Sequence, residues 1–186
     1  MNNKDFIKKL VLGAMFLAIG IILPFFTGQI PQIGRMLLPM HIPVFLCGLI
    51  CGWQYGLAVG FILPLMRSML FFMPPIFPDA AAMAFELAAY GFFSGFLYEK
   101  ARWHCIKSLY RCMISAMLFG RIIWGFAMLV FLGIGTEGFT AEAFFAGAFF
   151  NAIPGIILQL IVVPSVMLAL DKTHMVPFRK KNSGEK

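Results

Sequence analysis

Charge is scarce in this chain, and acid is scarcer than base. Charged residues make up 12% of the 186 positions, with eight Asp and Glu against fifteen Lys and Arg. An ordinary soluble domain carries about 25% charged residues, so this chain cannot clothe itself in a water-facing surface of the usual kind. Cysteine is sparse too, at four residues. Cys47 and Cys51 stand one helical turn apart in an apolar run, and no acid or histidine sits at a matching spacing. That pattern points to neither a disulfide framework nor a metal site, but to small buried packers. An intramembrane protease would need an H-E-x-x-H run, a Ser/His pair or an aspartate dyad. His41 has no serine to align with inside the apolar segments, and Glu86 is a lone carboxylate there. No A-x-A-like cleavage site follows Phe26, so the first apolar run reads as a retained helix and not a signal peptide.

What fills the chain is apolar. Hydrophobic residues make up 61% and the mean hydropathy is +0.88, which predicts an all-α integral membrane protein. A span needs about 20 apolar residues, fewer where neighbours complete the layer. On that measure six segments emerge, over residues 6–26, 41–53, 55–72, 79–98, 109–134 and 143–170. They form one membrane domain over residues 1–171, with a basic tail over 172–186. Segments two and three run together through Gly52-Trp53-Gln54-Tyr55-Gly56, which predicts a tight hairpin. Asp79 stands where it would N-cap the fourth helix, and Thr140 where it would cap the sixth.

The net charge of +7 would suit nucleic acid, but its distribution argues against that partner. Basic residues gather at the amino terminus (Lys4, Lys8, Lys9), between segments four and five (Lys100, Arg102, Lys107, Arg111) and in the tail (Lys172, Arg179, Lys180, Lys181, Lys186). With six spans these all fall on one side, and the opposite loops hold only Arg35. The positive-inside rule then places both termini in the cytoplasm.

A few polar residues interrupt the spans: His41, Arg67, Glu86, Arg121 and Asn151. A charge at the bilayer centre costs roughly 2.5–3.5 kcal/mol even on insertion scales, so such groups face a cavity or a partner. At 1.5 Å of rise per residue, Arg67, Glu86 and Asn151 lie about 8–12 Å from the outer ends of their helices. The five therefore predict a polar, ligand-binding pocket in the outer half of the membrane. Two arginines against one glutamate leave a positive excess, which favours an anionic or strongly hydrogen-bonding ligand. The plainer reading is a Glu–Arg pair that fixes helix packing while the other arginine snorkels. In the first segment Ala14 and Ala18 stand four apart beside Gly13 and Gly20, a spacing that lets another helix approach closely.

Size, six spans, the Ala14/Ala18 pair and the segments LLPMHIPVFLCGLICG and RSMLFFMPP…AMAFELAAYG together resemble the substrate-binding S-component of an energy-coupling factor (ECF) vitamin transporter. The resemblance covers nearly the whole chain. It implies a prokaryotic plasma-membrane protein that is not an enzyme and needs no cofactor. It further implies a vitamin or vitamin precursor bound in an outer-half cavity lined by helices four to six and capped by the first outer loop. Pantothenate, pyridoxine, a hydroxymethylpyrimidine and a cobalamin precursor all remain open as ligands. The alanine pair would dock onto a transmembrane T-component that carries two ATPase subunits, and the whole subunit would reorient in the membrane to release its cargo. The chain lacks G-x-x-x-x-G-K-[ST] and so could not itself bind ATP through a P-loop. A stand-alone secondary transporter or channel is the alternative reading, although the two three-helix halves show no self-similarity of the inverted-repeat kind. An intramembrane enzyme stands behind it.

Overall fold

The computed structural model describes residues 3–27, 38–101, 105–132 and 152–172. Those residues form six α-helices: α1 (Asn3–Ile22), α2 (His41–Cys51), α3 (Trp53–Phe71), α4 (Ala81–Lys100), α5 (Ile106–Leu132) and α6 (Ile153–Lys172). A 3₁₀ turn, Leu23–Thr27, extends α1, and a π turn, Ile76–Ala80, leads into α4. Five of the helices are long and apolar enough to cross a membrane, while α2, at 11 residues, is not. The third segment, expected over residues 55–72, is the helix of 19 residues that reaches spanning length beside it.

The short helix is the axis of the bundle. Ten of its 11 residues are buried, and α1, α3, α4 and α6 all pack against it. An 11-residue helix rises only about 16 Å, roughly half a hydrocarbon layer. It is sustained because its neighbours, and not lipid, surround it. The outer helices show the opposite distribution. Ile122, Phe126 and Val130 of α5 and Val11 and Phe26 of the first segment are 62–84% exposed, as expected of surfaces that meet acyl chains.

Two features of the backbone decide how α2, α3 and α4 meet. Gly52 alone separates α2 from α3, at φ +103° and ψ 166°, a conformation that essentially only glycine adopts without strain. The hairpin is therefore one residue long, tighter than the five-residue turn expected. The second feature is the approach of α4. A Cβ on Gly91 would collide with the backbone of Gly56 on α3, and one on Gly48 of α2 would lie 2.5 Å from the Gly91 carbonyl oxygen. Three helices thus touch backbone to backbone, as small residues permit in membranes.

At the other end of α3, Phe72 adopts φ +57° and its N–H returns to the Ser68 carbonyl. The Ser68 hydroxyl donates to the Pro74 carbonyl at 2.6 Å. Asp79 falls inside the π turn that follows, and α4 begins behind Ala80 with no side-chain cap. The expected N-cap is displaced because the chain is already wound one turn earlier. Thr140 lies outside the described residues. Cys47, Cys51 and Cys112 are buried, Cys105 is half-buried, and all are free thiols.

Candidate functional site: a buried carboxylate hub

Glu86 is 2% exposed, in the middle of α4. Three side chains converge on its Oε1, two of them at hydrogen-bond distance. Arg121 Nη1 of α5 lies at 2.9 Å, the Tyr90 hydroxyl, one turn along α4, donates at 3.0 Å, and His41 Nε2 at the start of α2 lies at 3.7 Å. Residues 86 and 90 share one face of α4 because four positions make about one turn. Three helices therefore converge on a single oxygen in a region where none of the four side chains exceeds 7% exposure.

Aromatic rings build the walls. Tyr90 stacks on Phe45 with centroids 5.2 Å apart and an interplanar angle of 21°, and the His41 ring tilts against the Tyr90 ring with centroids 5.0 Å apart. On the α5 side Gly120 leaves room for the Tyr90 ring, which a side chain there would strike. The ring is held on several sides, so its hydroxyl is aimed at Glu86 and not free to rotate away. Such constraint is what preorganised recognition requires.

The hub is not saturated. Among the described residues, both ring nitrogens of His41 and Nε of Arg121 are buried and find no hydrogen-bond partner. Leaving a buried polar group unpaired costs about 1–3 kcal/mol, and buried groups of this kind are normally satisfied. Three such atoms lie together around Glu86.

The sequence-derived candidates divide. His41, Glu86 and Arg121 come together. Arg67 is also buried, at 5% exposure, but it turns toward α1, where Nη1 donates to the Ile21 carbonyl at 3.1 Å. Its guanidinium lies 5.7 Å from the Phe25 ring and 5.9 Å from that of Phe71, so it fastens the end of α1 to the end of α3. Among the described residues it makes no ion pair with Glu86. Asn151 lies outside the described residues. Ala14 and Ala18 are exposed on the outer side of α1, whereas Gly13 and Gly20 face inward against α2 and α3.

Two residues escaped the sequence reading. Tyr90 was legible in principle, as a phenol four positions after an intramembrane glutamate. Gln159, in the middle of α6, is 1% exposed and donates from Nε2 to the Leu38 carbonyl at 3.5 Å. The same carbonyl accepts the His41 backbone N–H at 3.1 Å. Gln159 thereby links α6 to the entry of α2, at the carbonyl that also holds the hub histidine's backbone.

Five helices of membrane-spanning length, packed with a shorter sixth around a buried polar cluster among the described residues, define a multi-pass membrane protein. A family model described as "ECF transporter, substrate-specific component" matches residues 8–167. The chain belongs to that family, which is one of transporter components and not of enzymes. No curated protein and no solved structure matches it.

Proposed function

We propose that this protein captures a small, water-soluble vitamin or vitamin precursor from outside the cell and presents it to an ATP-driven ECF importer. The observation that carries the reading is the buried hub of His41, Glu86, Tyr90 and Arg121 with its unpaired nitrogens. The 2.9 Å contact between Arg121 and Glu86 balances the charge there. That favours a neutral ring bearing hydroxyls or ring nitrogens, such as pyridoxine or a hydroxymethylpyrimidine, over the carboxylate of pantothenate, since an arginine already paired has less to offer an anion. His41 and Arg121 would hydrogen-bond the ligand and Tyr90 would offer an aromatic edge, with Asn151 a further contact. Arg67, held at α1, would act at the margin of the site.

The positive-inside bias supports cytoplasmic termini and hence capture from the outer face. The outward exposure of Ala14 and Ala18 supports a docking surface for a transmembrane T-component, which would bring two ATPase subunits with it.

Native mass spectrometry on protein purified from its host without added ligand tests the capture. A retained vitamin-sized mass is expected. His41→Phe keeps a ring against Tyr90 but removes both nitrogens, and should lower ligand occupancy about tenfold or more, the usual cost of a lost buried hydrogen bond. Unchanged occupancy would remove His41 from the site. A separate experiment addresses docking. Ala18→Trp should abolish co-purification of the T-component and ATPases while leaving ligand retention intact, because residue 18 faces away from the hub. If the tryptophan variant still co-purifies with its partners, α1 does not present the docking surface.

A further inference from the structure

A second recognition feature lies at the opposite end of α5. There α4 ends at Lys100, α5 begins at Ile106, and a groove of about 440 Å³ opens between them. Leu97 and Ala101 form its apolar side, and Lys107, Ser108, Arg111 and Ser115 its polar one. Lys107 and Arg111 are one turn apart and exposed, and neither makes an ion pair among the described residues. Ser108 and Ser115, seven apart, align on the adjoining stripe of the same helix. Arg111 precedes Arg121 by ten positions, a rise of about 15 Å, so this groove is separate from the carboxylate hub.

The surface beyond the groove is equally specific in character. From Arg111 the exposed ridge of α5 continues through Ile114, Leu118 and Ile122, which are 47%, 52% and 62% exposed. Two cations and the Ser108 hydroxyl therefore stand at the head of an apolar track along a membrane helix, with Ser115 beside Ile114 on its flank. The charges complement a phosphate, and the track complements an acyl chain. A free anion would use only the first half of this arrangement, and a neutral lipid only the second.

We propose that the α4–α5 groove binds the phosphate headgroup of an anionic phospholipid, with one acyl chain lying along Ile114, Leu118 and Ile122. Lys107 and Arg111 neutralise the phosphate, Ser108 donates a hydrogen bond to its oxygens, and Leu97, Ala101 and Ser115 line the path of the glycerol and upper acyl chain. Basic residues at the membrane surface attract anionic lipid through this kind of contact.

The test is lipid titration of the delipidated full-length protein, read by native mass spectrometry. Phosphatidylglycerol and phosphatidylcholine with identical acyl chains are compared. Phosphatidylglycerol should bind at least tenfold more tightly, and Lys107→Gln with Arg111→Gln should lower its affinity about tenfold while leaving phosphatidylcholine unchanged. Ser115→Leu fills the groove without altering charge and should also lower phosphatidylglycerol occupancy. Lys4→Gln with Lys8→Gln removes two charges from α1, outside the groove, and should change affinity less than twofold. Thermal unfolding of each variant checks that it is folded. Three results would overturn the assignment: no preference for phosphatidylglycerol, an equal loss in the α1 control, or equally tight binding of soluble glycerol phosphate, which would make the site an anion site without a lipid.

Discussion

Glu86→Leu is expected to cost about 3–5 kcal/mol of folding stability, the range for removing one partner of a buried ion pair. The reason is the neighbour left behind. Arg121 is 6% exposed and its Nε finds no partner among the described residues, so deleting the carboxylate strands the guanidinium in an apolar bundle. The Tyr90 hydroxyl loses its acceptor at the same time. Combining Glu86→Leu with Arg121→Met should restore most of the loss, because replacing both members of a buried pair by apolar groups is often neutral or stabilising. Ligand occupancy should follow a different course and stay low in both the single and the double variant. Thermal or denaturant unfolding in detergent, paired with native mass spectrometry, reads the two quantities separately. Stability rescued together with binding would mean that the hub serves packing alone. A Glu86→Leu cost below about 1 kcal/mol would mean that Arg121 finds another partner or solvent.

The second large effect is expected at the three-helix junction. Gly91→Val should cost about 3 kcal/mol or more, at the upper end of overpacking penalties. A side chain at residue 91 meets the Gly56 backbone, with the Gly56 Cα 2.9 Å from the added Cβ. Backbone cannot rotate away as a side-chain tip can, so α3 and α4 must separate along their shared length. Because α4 also carries Glu86 and Tyr90, ligand occupancy should fall with stability. Gly13→Ala is the matched control. Its added Cβ comes no nearer than 3.6 Å, to Tyr55, an ordinary contact, and alanine favours helix by up to about 1 kcal/mol. The control should therefore be neutral or mildly stabilising in the same unfolding assay. Similar losses at both positions would show that α1 is packed as tightly as the α2–α3–α4 junction, contrary to the spacing described.

The two predictions rest on different kinds of information. That Glu86 and Arg121 lie within spans is read directly from the amino-acid order, since each interrupts a long apolar run. That they pair with each other, while Arg67 pairs with the end of α1, is not. Arg67 and Arg121 have the same chemistry, and which of them meets Glu86 is set by their different depths in the bundle and by the rotation of α3 and α5 about their axes. Gln159 shows the same limit. A glutamine at mid-span is an ordinary signal, and its link to Leu38 joins positions 121 residues apart.

Much of the architecture is local in origin. Hydropathy over about twenty positions determined that the chain is an all-helical membrane protein, and the first five helices begin and end within a few residues of the expected bounds, whereas the start expected for the sixth, at residue 143, lies outside the described residues. Gly52 announced the break between α2 and α3, although only the backbone showed that one residue suffices. The shortness of α2 was likewise legible, but its place at the centre of the bundle was not, because an apolar helix reads the same whether lipid or protein surrounds it. The same holds on α1, where Gly13 and Gly20 turn inward while Ala14 and Ala18 turn outward. Neighbouring residues differ by about 100° around a helix, and which direction is inward depends on helices far away in sequence. Composition and periodicity, being sums over neighbours, determined the solvent and the secondary structure of this protein. The hub, the glycine junction and the α4–α5 groove needed helix rotations and approaches that only long-range packing decides.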